Sequence, residues 1–212
     1  DTSVASSVVY GAAADDNKAI CDGNGTSGTR VQVLYVRPSN APDNFTTYQN
    51  SFRVWASDAN DIYMASARET NGQRYIRFVH GADCTISVKK VTIDPYETPY
   101  YFDETMNKLE DLGYDDPARK YLIFLERSSP GLCGVGNYWF DYQPGQYNLN
   151  NQVATYAVVF AGCWDNASTP AHELTHALGA VLDRQVDVGH APAAHHRRQL
   201  IAPKAGQTAH SS

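Results

Sequence analysis

Residues 30–37 read RVQVLYVR. β-Branched residues alternate along this run, which predicts a β-strand. Immediately after it, Pro42, Asp43 and Asn44 open a helix. Phe45, Tyr48, Phe52, Trp55, Ala59 and Ile62 then recur at helical spacing, giving one apolar face over about five turns. A strand followed by a long one-sided helix predicts a helix packed across a sheet. The same mixture continues downstream. Asn71-Gly72 breaks the chain, and Tyr75 to His80 and Thr85 to Ile93 read as two strands joined by a turn near Gly81. Asp103 can cap a short helix carrying Met106, Leu109 and Leu112, stopped by Gly113. Lys120 to Glu126, KYLIFLE, reads as a buried strand, and Val153 to Ala161 as the last strand. Between them, residues 128–151 form a long loop rich in Pro, Gly and Asn that holds Trp139, Phe140 and Tyr142. A loop of that length is functional or tied down. The expectation is an α/β (or α+β) fold, one twisted mixed β-sheet with a long packing helix. The predicted organisation is a loose lead-in over 1–29, one domain over 30–182, and a separate tail over 183–212.

Composition narrows the classes. The chain has 212 residues, enough for one domain with its own core. At 42% hydrophobic and 19% charged residues it is globular and not disordered. Fourteen tyrosines against 2 methionines place much of the core in aromatic packing. The net charge of −6 argues against a nucleic-acid partner, since phosphate binding wants a basic face. No apolar stretch is long enough to span a membrane. Four cysteines, Cys21, Cys84, Cys133 and Cys163, include no Cys-x-x-Cys pair, so a thiolate zinc site is disfavoured. Their even count and wide spacing suit two disulfides in an oxidising compartment. Three pairings exist; Cys21–Cys84 with Cys133–Cys163 is favoured because each ties neighbouring segments. The chain begins at Asp1 without an apolar leader, so either a signal peptide has been removed or the chain has been cut; with two expected disulfides the expectation is a secreted monomer.

One stretch carries chemistry. Residues 169–179 read TPAHELTHALG. Thr169 is a plausible N-cap and Pro170 suits the first helical position. His172 and His176 are four apart, so both imidazoles leave one helix face a turn apart. That spacing lets two nitrogens bind one Zn2+ at about 2.0–2.1 Å. Glu173, about 100° further around the helix, can reach a zinc-bound water without being a ligand. This is the His-Glu-x-x-His arrangement of metalloproteases. The expected activity is zinc-dependent hydrolysis of peptide bonds in an extracellular protein or peptide substrate. Glu173 would act as the catalytic base and zinc would polarise the scissile carbonyl.

The run from Ala171 to Val181, AHELTHALGAV, resembles the zincin metallopeptidases, and Gly179 falls where the metzincin pattern places its glycine. CDGNG (21–25), RVQVLYV (30–36), SFRVW (51–55), RKYL (119–122), CGVG (133–136) and AGCW (161–164) are similar to a group of secreted actinobacterial metzincin-type proteins. The resemblance implies a zincin-like fold with the motif on an active-site helix. It also implies a third zinc ligand beyond Gly179. Where metzincins place that ligand stands Leu182, and no Met follows Met106 to form a Met-turn. The candidates are then Asp183, Asp187 and His190, with His190 and Asp187 ranked equal. After Leu182 the composition changes abruptly, and residues 183–212 lack apolar periodicity, so the family's C-terminal part is expected to be replaced by a disordered tail. Ca2+ is the second ion to consider, without a motif that indicates it; Asp94, Asp103, Asp115 and Asp116 read as loop and cap acids. The alternative functions are an inactive or truncated metalloprotease-like domain that binds without cleaving, and a carbohydrate-binding module using Trp139, Phe140 and Tyr142.

Overall fold

The computed structural model describes residues 17–179, apart from 100, 140, 142, 144 and 145. Residues 183–212, with Asp183, Asp187 and His190, lie outside the described residues, as does most of the N-terminal lead-in. Five strands and three α-helices make a mixed α/β fold. In chain order they are β1 (Arg30–Pro38), α1 (Phe45–Glu69), β2 (Val88–Ile93), α2 (Tyr101–Asp111), β3 (Arg119–Leu125), β4 (Gly134–Gly136), β5 (Thr155–Phe160) and α3 (Ser168–Ala177). The sheet order is β2-β1-β3-β5-β4. The first four pair in parallel, and β4 alone runs antiparallel, against β5.

The three central strands are buried on both faces, so their alternation is not amphipathic. Val31, Val33 and Tyr35 of β1, with Leu122, Phe124, Ala157 and Val159, face one core with α1 and α3. Leu34, Val36, Ile123, Leu125, Val158 and Phe160 face a second core with α2. A parallel sheet covered by helices on both faces has this near-continuous apolar reading. Phe52 of α1 anchors the first core, stacking on Phe124 at 4.8 Å and on Tyr35 at 5.3 Å, edge-on to Trp164 at 5.2 Å.

Three sequence expectations are corrected. Ile62 and Tyr48 are exposed, and the buried stripe of α1 is Phe52, Ala56, Ala59, Asn60 and Ala67; two turns of aromatic residues pulled the apparent face off its axis. Tyr75 to His80 forms isolated bridges and no full strand: it turns at Gly81 to pair antiparallel with the following segment, Ser87 N–H donating to the Val79 carbonyl and Gly81 N–H to the Thr85 carbonyl, and it also lies parallel to β1, Val31 N–H donating to the Arg77 carbonyl and Val79 N–H to the Val31 carbonyl. The long loop contains the short strand β4, which two glycines concealed. At the end of α1, Asn71 takes a left-handed conformation (φ 55°) and Gly72 N–H returns to the Ala67 carbonyl, closing the helix where the Asn-Gly break was read.

Residues 17–29 are fastened to the domain. Cys21–Cys84 is a disulfide. The buried Arg30 donates to the carbonyls of Ser27, Asp22 and Phe78. His80, 5% exposed, holds the same corner: Asp22 N–H donates to its Nε2 at 3.2 Å, and Nδ1 lies 2.8 Å from the Gly81 carbonyl. The second disulfide is Cys133–Cys163. Both bonds fit an oxidising location. In the chain-entropy account, a 63-residue loop closed by Cys21–Cys84 contributes about 4 kcal/mol. Replacing Cys21 and Cys84 together by Ser is expected to lower unfolding free energy in urea by about that amount; no change would show that the lead-in is not held by the bond.

Candidate functional site

The motif helix α3 is held at both ends and from three sides. Before it, Asn166 Oδ1 accepts from Ser168 N–H at 3.2 Å and Ser168 Oγ at 2.6 Å. The helix starts at Ser168 with Ala167 in the cap position, two residues earlier than Thr169 was expected to cap it, and Pro170 still sits within the first turn, where its missing N–H costs nothing. Tyr63 of α1 reaches across to Thr175 Oγ1 at 2.8 Å and donates to the Ala171 carbonyl at 3.2 Å. Thr155 of β5 donates to the Ala177 carbonyl at 2.6 Å. After the helix, Gly179 turns left-handed (φ 71°) with its Cα against the Asn150 side chain, where a Cβ would come within 2.7 Å. Only glycine ends the helix there.

The third side is β4. A Cβ on Gly134 would lie 2.6 Å from Glu173 Cγ and 2.8 Å from the Val158 carbonyl oxygen, and one on Gly136 would lie 2.6 Å from the Glu173 carbonyl oxygen. The helix can rest on the strand only because neither residue has a side chain. Cys133–Cys163 joins the residue before β4 to the segment entering α3, clamping the same contact.

The structure brings the two motif imidazoles together. His172 is exposed and lines a groove of about 620 Å³ between α1 and α3, while His176 is 3% exposed. Their Nε2 atoms are 3.2 Å apart, with ring planes at 80°. Two nitrogens bound about 2.0–2.1 Å from one tetrahedral ion would be separated by about 3.3–3.4 Å. The pair therefore fits one metal ion as it stands. Among the described residues there is no cluster of three or more His, Cys, Asp or Glu placed to hold a metal. Further ligands would have to come from outside them, where His190 and Asp187 lie. Tyr138, a tyrosine that sequence reasoning left unassigned, stacks on His176 at 5.7 Å with planes at 17°. Its only sequence signal is its place two residues past the glycine pair.

Glu173 is 6% exposed, and its Oε2 is buried without a hydrogen-bond partner among the described residues. Burial in this setting pushes its carboxyl up to about 8, so the proton is held at neutral pH. A buried carboxyl with an oxygen unpartnered among the described residues, on the helix that carries the two imidazoles, is suited to taking and returning a proton. Trp139 is 37% exposed on the loop beyond β4. Phe140 and Tyr142 lie outside the described residues, so no aromatic platform is defined.

Two expectations follow. Gly134→Ala should cost roughly 1–3 kcal/mol in denaturant unfolding, because helix and strand must part; an unchanged midpoint would refute the close contact. For Glu173, the folded chain binds the proton more tightly than the unfolded chain. Its stabilising effect is complete below the ordinary value of 4.5 and is lost as pH rises to about 8. With a chelator present, Glu173→Gln should match the parent at about pH 4 and exceed its stability at about pH 8; equal differences at both would contradict the burial argument. No protein-family model, no curated protein and no solved structure matches this chain.

Proposed function

We propose that this protein is a secreted zinc metalloendopeptidase of zincin-like, metzincin-related design. The observation that carries the reading is the 3.2 Å separation of the two imidazole nitrogens, with a dehydrated carboxyl one residue from the first of them. His172 and His176 would hold the ion, and Asp187 or His190 would complete its set. When bound, zinc supplies a Lewis acid that polarises the peptide carbonyl and acidifies water. Without a cation the Glu173 carboxyl keeps its proton; the positive charge of an ion on His172 and His176 would favour the ionised carboxylate, which then removes a proton from the attacking water as the water oxygen adds to the carbonyl carbon. Glu173 then delivers that proton to the amine nitrogen as the C–N bond breaks. Its raised proton affinity serves the second step, and the buried wall of β4 keeps bulk water from competing for the proton.

A polypeptide substrate is supported by the sheet edge beside Glu173. Phe160 N–H donates to the Cys133 carbonyl and Asn137 N–H to the Tyr156 carbonyl. In an antiparallel ladder this alternation turns Cys133, Val135 and Asn137 toward β5, and turns the amides and carbonyls of Gly134 and Gly136 outward. β4 is the end strand of the sheet. An extended peptide can add there as a further strand, running past the two histidines.

The competing reading is a domain of the same shape that binds without cleaving. The incomplete ligand set among the described residues favours it. Metal analysis after exhaustive dialysis separates the two. The proposal expects about one zinc per chain in the parent, much less in His176→Ala, and casein cleavage by the parent that Glu173→Gln reduces at least about a hundredfold with zinc retained. A parent that binds zinc and never cleaves would favour the binding domain; a parent that retains no zinc would end the metallopeptidase reading.

A further inference from the structure

Side chains along β4 alternate between two faces, and the alternation continues into the residues that follow it. Gly134 and Gly136 face α3: a Cβ on the first would meet the Glu173 side chain, and one on the second would meet the Glu173 carbonyl and His176 Cβ. Val135 packs against the opposite core. Asn137 is 7% exposed and bonds to β5 twice, its N–H donating to the Tyr156 carbonyl at 3.0 Å and its Oδ1 accepting from Tyr156 N–H at 2.6 Å. Tyr138 comes next in the glycine parity. Counted from Gly134, it is the first residue of that face to carry a side chain. Its ring lies against the His176 imidazole, with centroids 5.7 Å apart and planes 17° from parallel.

The backbone that carries this ring is held on both sides. Asn137 is tied to Tyr156 before it. After it, Trp139 N–H donates to Asn150 Oδ1 at 2.6 Å, and Asn150 Nδ2 donates to the Trp139 carbonyl at 2.9 Å. An imidazole, by contrast, turns easily about its terminal side-chain bond, whose energy wells are broad. A ligand that must first be oriented binds more weakly by the cost of orienting it. Stacking on Tyr138 sets the plane of the His176 ring while its Nε2 stays 3.2 Å from that of His172. We propose that Tyr138 is a positioning residue, a role that rests on the metallopeptidase reading: its ring fixes the His176 imidazole and so pre-sets the two nitrogens for one divalent ion. The ring carries this role and the hydroxyl does not.

The measurement is zinc affinity of the full chain by competition with a chromogenic chelator, for the parent, Tyr138→Phe and Tyr138→Leu. Tyr138→Phe should stay within about twofold of the parent and Tyr138→Leu should bind about tenfold more weakly, a loss of the size that follows when the support of a ligand is removed. Tyr138 belongs to neither hydrophobic core, so all three should unfold at the same urea midpoint without metal. Tyr138→Met replaces Tyr138→Leu if the latter does not fold; failure of both to fold marks a packing residue and overturns the role. Parental affinity in the folded leucine or methionine variant overturns it too, as does an equal loss in Tyr138→Phe, or a loss accompanied by a lowered midpoint. Each of these results leaves the zinc reading standing when the parent binds zinc. A parent that binds none ends both.

Discussion

Helix α3 lies against the edge of the sheet at a distance no side chain would allow, and most of the site follows from that contact. Gly134 and Gly136 present bare backbone to Glu173 and His176. Because the strand is this near, water is excluded from the carboxyl, and the exclusion raises its proton affinity. The same approach buries His176 and sets Tyr138 over its ring. His172, one turn earlier on the helix than His176, is left open to the groove between α1 and α3. One steric condition thus makes the second imidazole interior, the first accessible and the carboxyl dehydrated.

The elements that could be read from the chain were those whose side chains state their own environment. RVQVLYVR and KYLIFLE are apolar enough to demand burial, and both are strands. The motif helix and the pairing Cys133–Cys163 were legible for similar local reasons. What could not be read depended on partners distant in sequence. β4 is Gly-Val-Gly, a run with almost no side-chain signal, and it becomes a strand only because β5 offers it a ladder. Tyr75 to His80 has strand composition and does turn back on the next segment, yet its second neighbour, β1, could not be read, because a period of two does not say which strands lie alongside. Within the site, the spacing of His172 and His176 is a helix property and was predictable. The burial of Glu173 is a property of two glycines about forty residues earlier and was not.

Asn150 shows how the polar interior supports the loop beside the site. Its side chain accepts from Trp139 N–H at 2.6 Å and donates to the Trp139 carbonyl at 2.9 Å, while its own carbonyl receives the Lys120 ammonium. The same side chain faces Gly179 at the end of α3. A single buried amide therefore connects the start of β3, the loop after β4 and the exit of the motif helix. Lys120, the second residue of β3, is a buried cation among apolar neighbours, and such burial calls for explanation wherever it occurs.

The hydroxyl contact between Tyr63 and Thr175 joins residues 112 positions apart. Contacts of that span close last, because the chain must lose the entropy of a large loop before they return any energy. Parallel strands add to the delay, each pairing across an intervening helix or loop. The junction that aligns α1 with the motif helix consequently exists only in the completed fold. A nascent or half-folded chain would carry every motif residue and yet lack the arrangement that relates them, so competence here arrives with the final step of folding.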